Sequence, residues 1–341
     1  MLTSRAQGPQ HRAMRRTLCL VALAAVTLLP VAATAQRAIS IATLAPPGSM
    51  WMRTLESAGR ELRRRTNGAL SIRFYAGGVQ GDESEVVRKV RTRRIDGGAL
   101  TATGLQHIHR PVLAFQLPAL FRAPEEFLRA YTALQPELAQ GFERAGFSLI
   151  HLSPSLGARM FSAREIRVPA DLRNARPWQW TDDPILPALY AEAGATGVPL
   201  SLPEVLSALQ THRIDTVYAP PLAAIALQWS AHVRYISERS ASGSLSAIVL
   251  SRASFEALPA DQRTTLREVF SQAATIARPA FVRAEAEAER SLLARGITRV
   301  ALTEPERQQW IELFARVRAR VARTMPDPAW IPRVQAAGQG R

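Results

Sequence analysis

Between residues 38 and 100 two hydrophobic periodicities alternate, and this alternation restricts the fold more than any other feature of the chain. Residues 38–43 (Ala-Ile-Ser-Ile-Ala-Thr) follow the period-two pattern of a half-buried strand. Pro46-Pro47-Gly48 breaks it, and Ser49 is placed to cap a helix whose apolar stripe is Trp51, Leu55, Ala58 and Leu62. Asn67-Gly68 stops that helix, and a second strand is predicted over residues 69–75. After the glycine loop 77–81, Asp82 opens a helix with Val86, Val87 and Val90 on its core face, and residues 95–100 form a third strand. Strand, helix, strand, helix, strand in this order specifies a parallel sheet covered by helices on both faces.

The same grammar returns later, as a second parallel-sheet unit separate from the first. A strand over residues 176–180 leads through Asp183-Pro184 into a helix that Gly194 ends. A helix over residues 203–210, a strand over 214–218, a helix starting at Pro220-Pro221 and a strand over 233–236 follow. Residues 261–295 then stay helical, with Leu266, Val269, Phe270, Ile276, Phe281 and Leu292 as the apolar positions. A helix of that length reaches about 50 Å, more than one lobe needs. Pro279 in its middle removes an N–H and imposes a kink, so it is the expected hinge. A further amphipathic helix carries Trp310, Phe314, Val317 and Val321, and residues 333–341 are expected to be a disordered tail.

Residues 1–35 read as a cleaved signal peptide. Arg12, Arg15 and Arg16 precede an apolar run over residues 18–29, and Ala33-Thr34-Ala35 supplies a small-x-small cleavage pattern. The run is shorter than the roughly 20 residues needed to span a bilayer. The only cysteine, Cys19, falls inside this segment, so the mature chain, beginning near Gln36, has no disulfide. About 300 residues exceed what one core usually serves, which argues for two lobes. Arg5, Arg12, Arg15 and Arg16 carry four of the formal +15 charges, which leaves +11 on the mature chain. Lys89 is the only lysine, and the arginines are dispersed among glutamates instead of clustering with stacking aromatics. That dispersion argues against nucleic acid and leaves an acidic ligand or an anionic membrane surface compatible.

Catalytic patterns are thin. The mature chain has no cysteine and no Gly-x-Ser-x-Gly elbow, and the loop 77–81 lacks both the phosphate-loop and the dinucleotide spacing. His107 and His109 would share one face of a strand, but two histidines without a nearby carboxylate or thiolate make a poor metal site. Asp182-Asp183 before a helical run reads first as a cap. No cofactor or metal is expected. The strongest local feature is Trp178-Gln179-Trp180: on a strand both indoles point to one face, at the carboxyl end where parallel α/β sheets bind ligands. Either they line a cleft or they pack beneath a covering helix. Tyr218, just before Ala219-Pro220-Pro221, sits at the equivalent end of its own strand, and two such clusters on one sheet edge suit an aromatic-lined cleft.

Several segments, in order, resemble the solute receptors of tripartite ATP-independent periplasmic (TRAP) transporters of the dicarboxylate/sialate type. Residues 39–49 resemble the family's first strand and loop, and residues 74–83 (Phe-Tyr-Ala-Gly-Gly-Val-Gln-Gly-Asp-Glu) its Tyr-Pro-Gly-Gly-x-x-Gly-Asp segment. Leu117-Pro118-Ala119-Leu120-Phe121 is similar to its Leu-Pro-Phe-Leu-Phe, and residues 204–215 to its Glu-Val-Tyr-x-Ala-Leu-Gln-Thr-Gly-x-Val-Asp. The resemblance implies a two-lobed periplasmic substrate-binding fold whose long kinked helix spans both lobes. Lobe I would take residues 36–154 with about 241–280, and lobe II residues 155–240 with about 281–332.

The chain departs from the family where a ligand carboxylate is usually met. The family's strand arginine, after Asp-Leu-Lys-Gly-x-Lys-x, is replaced by Trp178, and an indole cannot make the bidentate pair a guanidinium makes. Leu44, Leu202 and Ala219 also stand where polar or aromatic ligand contacts are common, whereas Arg159 matches the family's other ligand-facing arginine. Thr101 and Gly104, just past the third strand, complete the candidate ligand-binding set. The Trp-x-Trp and Val-Tyr-Ala-Pro-Pro pattern looks like a divergent branch associated with apolar ligands and a periplasmic tetratricopeptide-repeat partner. The expectation is therefore a periplasmic receptor, not an enzyme. It would close two lobes on a largely apolar, mono-acidic solute and deliver it to TRAP membrane subunits. An ordinary carboxylate receptor, a hydrophobic-ligand carrier without a transporter, and a secreted enzyme using Asp182, Asp183 and a histidine are the alternatives.

Overall fold

The computed structural model describes residues 37–156, 158–240 and 242–341; the leader expected over residues 1–35, with Cys19, lies outside the described residues. In chain order the elements begin β1 (Arg37–Thr43), α1 (Met50–Arg65), β2 (Leu70–Tyr75), α2 (Glu83–Arg91), β3 (Gly97–Thr101), α3 (Ala102–Leu105), α4 (Pro124–Arg144), β4 (Phe147–Leu156) and β5 (Arg159–Ser162). There follow β6 (Trp178–Trp180), α5 (Ile185–Ala193), β7 (Val198–Leu200), α6 (Val205–Gln210), β8 (Thr216–Ala219), α7 (Pro221–Ala226) and β9 (Tyr235–Ile236). The chain ends with β10 (Gly243–Ser251), α8 (Arg252–Glu256), α9 (Ala260–Ala294), β11 (Thr298–Arg299), α10 (Glu304–Ala322) and α11 (Trp330–Gly338).

The local signals act where the sequence places them. Ser49 Oγ accepts from the Met52 amide at the start of α1, and Asp82 accepts from the Glu83 amide at the start of α2. Gly194 closes α5 at φ 72°, a left-handed conformation that glycine adopts without a Cβ clash. Ala58, Leu62, Val86, Val87 and Val90 are buried, so both helices lay their expected stripes on the sheet.

The first sheet has the order β2-β1-β3-β10-β4, and the second β11-β9-β5-β8, with the β6-β7 pair joined to β8 through a parallel bridge between Pro177 and Thr216. Neither is wholly parallel, which corrects the second unit's expected parallel sheet. β10 runs antiparallel to β3 and β4, and β5 runs antiparallel to β8 and β9. In each sheet the reversed strand is the one the chain enters straight after leaving the other sheet: β4 leads into β5, and β9 into β10. Side-chain periodicity marks a strand but carries no record of its direction.

α9 links the two sheets as a single 35-residue helix with Pro279 inside it. Its first half lies on α1, where Arg65 pairs with Glu268 at 2.5 Å, and just past Pro279 the Phe281 ring still sits 5.7 Å from that of Trp51. Its second half meets the other sheet, where Glu285 accepts from the Leu222 amide at the start of α7 (3.1 Å). Pro279 lies on the exposed side of the helix, two residues before Phe281, the last of these contacts to α1, and six before Glu285, the contact to α7. Leu266, Val269, Phe270 and Leu292 are buried as expected, but Ile276 is 79% exposed, on a face of the helix turned to solvent.

The C-terminus is a second correction. Residues 333–341 were expected to be disordered, yet Trp330–Gly338 form α11, packed on α4. Trp330 and Val334, one turn apart, are buried, and Gly338 lies against Phe121 while its carbonyl accepts from Arg129 Nε at 2.9 Å. The polar and glycine residues of the tail hide a short apolar stripe whose partner is 200 residues earlier in the chain. Trp330 therefore belongs with α4 and not with the second sheet.

Candidate functional site

The carboxyl ends of β1 and β3, and the loop between β2 and α2, face the ends of β6 and β7 across a seam. Asp82 holds that seam. While capping α2, its Oδ2 accepts from Trp180 Nε1 at 2.8 Å and from the Leu202 amide at 3.4 Å. Gln106 Nε2 donates to the Asp182 carbonyl at 2.5 Å, and His107 Nε2 lies 4.0 Å from the Asp182 carboxylate. Gly78, at φ 77°, lies close to both sides: a Cβ there would fall 2.9 Å from Pro203 Cγ and 3.2 Å from Leu44 Cδ2. Leu44, Leu202, Pro203 and Trp180 give the seam an apolar lining, with Asp82 as its carboxylate.

Thr101 and Gly104 are brought together by a residue that sequence reading did not single out. Glu83 is buried and accepts from the Thr101 amide, the Thr101 hydroxyl and the Gly104 amide, each at 2.7 Å. The signal was its place after Gly81-Asp82 in the glycine-rich segment. Burial pushes its carboxyl up to about 7, against the pull of those hydrogen bonds. A carboxyl raised in the folded state binds its proton more tightly there than in the unfolded chain. The resulting stability is present near pH 5 and is lost as pH rises through 7, on the order of 2 kcal/mol. Buried His109 and His151, held below their usual range, act in the opposite sense, so the readout is the difference: from pH 5.5 to 8 the unfolding midpoint of Glu83→Gln should change with pH less steeply downward than that of wild type. An equal slope in that variant would exclude Glu83 as a source, leaving Glu285, also raised to about 7 by burial.

The two readings of the tryptophan pair divide between its members. Trp178 and Trp180 do stack on one face, 5.6 Å apart, but Trp178 is only 2% exposed. Its ring meets Trp229 edge-on at 5.3 Å, its Nε1 donates to the Leu200 carbonyl at 3.0 Å, and its own carbonyl accepts from the Tyr190 hydroxyl. Trp178 is core, and Trp180 is the half-buried indole at the seam. Asp183 is a cap, as its spacing implied, accepting from the Ile185 and Leu186 amides.

Arg159 departs from the expectation of a ligand-facing cation. Its Nη2 lies 2.6 Å from Glu289 Oε1 on α9, its Nε donates to the Ser237 carbonyl at 2.9 Å, and its side chain is 12% exposed. In the β5–β8 register Arg159 faces Ala219 and Met160 faces Tyr218, so Tyr218 points to the opposite face of the sheet. The set named from sequence therefore converges in part. Leu44, Thr101, Gly104, Trp180 and Leu202 surround the seam, whereas Trp178 lies behind it, Arg159 is turned to α9 and Ala219 is buried. The two histidines separate on the turn after α3, not on a strand. His107 is exposed, while His109 packs on Phe142 and Trp330, where burial pushes it down to about 4. Among the described residues no group of three histidine, cysteine or acidic side chains is placed to hold a metal.

A family model described as bacterial extracellular solute-binding protein, family 7, matches residues 41–324. The chain belongs to that family. A family relative, a solute-binding protein of Verminephrobacter eiseniae, is 22% identical over 269 residues, 78% of this chain and 79% of the relative. The fold is shared with a Bordetella pertussis extracytoplasmic solute receptor that binds pyroglutamic acid (TM-score 0.79, 20% identity, 89% of this chain and 99% of that one). It is shared too with a TRAP periplasmic solute-binding protein of Shewanella oneidensis with bound succinate (TM-score 0.81, 17% identity, 89% and 100%). These likenesses establish the two-lobed α/β architecture. Family 7 proteins are TRAP-type solute receptors and not enzymes.

Proposed function

We propose that this family 7 receptor captures a small, largely apolar, mono-acidic solute in the periplasm and delivers it to TRAP membrane subunits. A periplasmic tetratricopeptide-repeat protein is the further partner suggested by the sequence branch. The ligand surface would be Leu44, Thr101, Gly104, Trp180 and Leu202, with residues 36–154 and about 241–280 forming one lobe and residues 155–240 and about 281–332, less Trp330, the other. Pro279 would be the hinge, and affinity would follow from the difference between open and closed forms.

One observation carries this reading. Neither of the two arginine positions that the TRAP resemblance assigns to a ligand carboxylate presents an unpaired cation: one holds the buried Trp178, and the other, Arg159, is committed to Glu289. Burying a carboxylate without its cation costs several kcal/mol, whereas each apolar Å² removed from water contributes about 25 cal/mol. Ligands with one acidic group and an aliphatic or aromatic body are favoured by that balance.

Calorimetric titration of the protein lacking residues 1–35 tests it. Succinate and pyroglutamate should bind no tighter than about millimolar, while octanoate and phenylacetate bind at least about tenfold better. Tight binding of succinate with the apolar acids silent would replace this reading with an ordinary carboxylate receptor, in keeping with the ligands of the two structural neighbours.

A further inference from the structure

Arg159 begins β5 directly opposite Ala219, the last residue of β8, so its Cα stands at the same sheet edge as the ends of β6 and β8. From there its side chain runs to α9. Glu289 Oε1 lies 2.6 Å from Arg159 Nη2 and 2.8 Å from Arg299 Nη2, so one carboxylate serves two guanidiniums. The Ser237 carbonyl fixes the Arg159 Nε as well. Both members of the Arg159–Glu289 pair are largely sheltered, with side-chain exposures of 12% and 21%. One turn earlier on the same helix, Glu285 is held at the start of α7, and the Glu289 charge adds to the burial that raises its carboxyl.

We infer that Glu289 is a specificity-determining residue, which withholds the Arg159 guanidinium from the carboxylate of an incoming solute. The inference rests on the proposed apolar, mono-acidic reading and supplies its cause. A small dicarboxylate can reach Arg159 only by displacing Glu289. That displacement leaves Glu289, beside Glu285, with only the more exposed Arg299 as partner, and losing the sheltered member of the pair opposes the exchange. A ligand with an apolar body needs no such exchange. Neutralising Glu289 removes the competitor and leaves Arg159 at the sheet edge, able to turn toward the ligand as the long arginine side chain allows.

The test uses succinate and octanoate as probes against wild type, Glu289→Gln, Arg159→Gln and the double variant, with thermal unfolding confirming that each is folded. Glu289→Gln is expected to bind succinate at least about tenfold tighter than wild type, with octanoate changed less than about threefold. The gain should vanish in the double variant. An unchanged succinate affinity in folded Glu289→Gln overturns the inference, and so does a gain that survives removal of Arg159. Should Glu289→Gln fail to fold, Glu289→Asp withdraws the carboxylate by one methylene and is judged by the same gain or its absence. Tight succinate binding by wild type would count against the apolar reading by itself. The role of Glu289 then fails as well if Arg159→Gln abolishes that binding, since Arg159 would already be available.

Discussion

Trp178→Ala is expected to destabilise the protein by about 3–5 kcal/mol, the range for removing a large aromatic side chain from a packed core. The indole is stacked on Trp180, meets Trp229 edge-on, and donates its N–H to the Leu200 carbonyl, so its loss opens a cavity and orphans a buried acceptor. Trp178→Arg should be worse, because the guanidinium would be buried among Phe161, Val217 and Trp229 with no acidic partner to receive it. Denaturant unfolding monitored by circular dichroism measures both. Trp180→Ala serves as the comparison, since that indole is half-buried and should cost less. Equal stability of wild type and Trp178→Ala would show that Trp178 faces the cleft, and would restore the lining role that its strand position first suggested.

Ending the chain at residue 328, which deletes α11, should cost about 3–6 kcal/mol. Two core side chains, Trp330 and Val334, contribute about 1.5–3 kcal/mol each by burial. The deletion also uncovers His109, whose ring packs edge-on against Trp330, and removes the Arg333–Glu137 pair on the outer side of α4. A loss of that size lowers the melting temperature by several degrees. A truncated protein that melts with the full chain would return these residues to the role of an unstructured tail.

The parts of the fold that the sequence declares are those whose causes are local. Ser49, Asp82, Asp183 and Gly194 act on amides or carbonyls within a few residues, and the stripes of α1 and α2 repeat within four turns, so each is visible in a short window. α4 is less visible because Pro136 argues for a break, although Phe127, Ala130, Leu138 and Phe142 keep one buried stripe and the proline faces outward. Strand direction in β5 and β10 is invisible for a different reason: it is decided by which sheet the chain has just left. At the site, the residues that stand elsewhere than expected are paired across distance. Trp178 is buried by Trp229, and Arg159 is held by Glu289, 130 residues away. A residue type and its strand face can nominate a ligand contact, but only the partner decides whether the side chain is available.

The order of strands in the first sheet fixes when that sheet can exist. β10 lies between β3 and β4, yet it is made from residues 243–251, about a hundred positions after β3 and β4 have been synthesised. Until β10 arrives, β3 and β4 each present an open edge, and α4 still awaits the last residues of the chain. No amino-terminal segment can therefore complete a lobe while the rest is being made. The nascent chain stays without its complete first sheet until residue 251 has emerged, so the pairing that closes this sheet is a late, long-range event in folding.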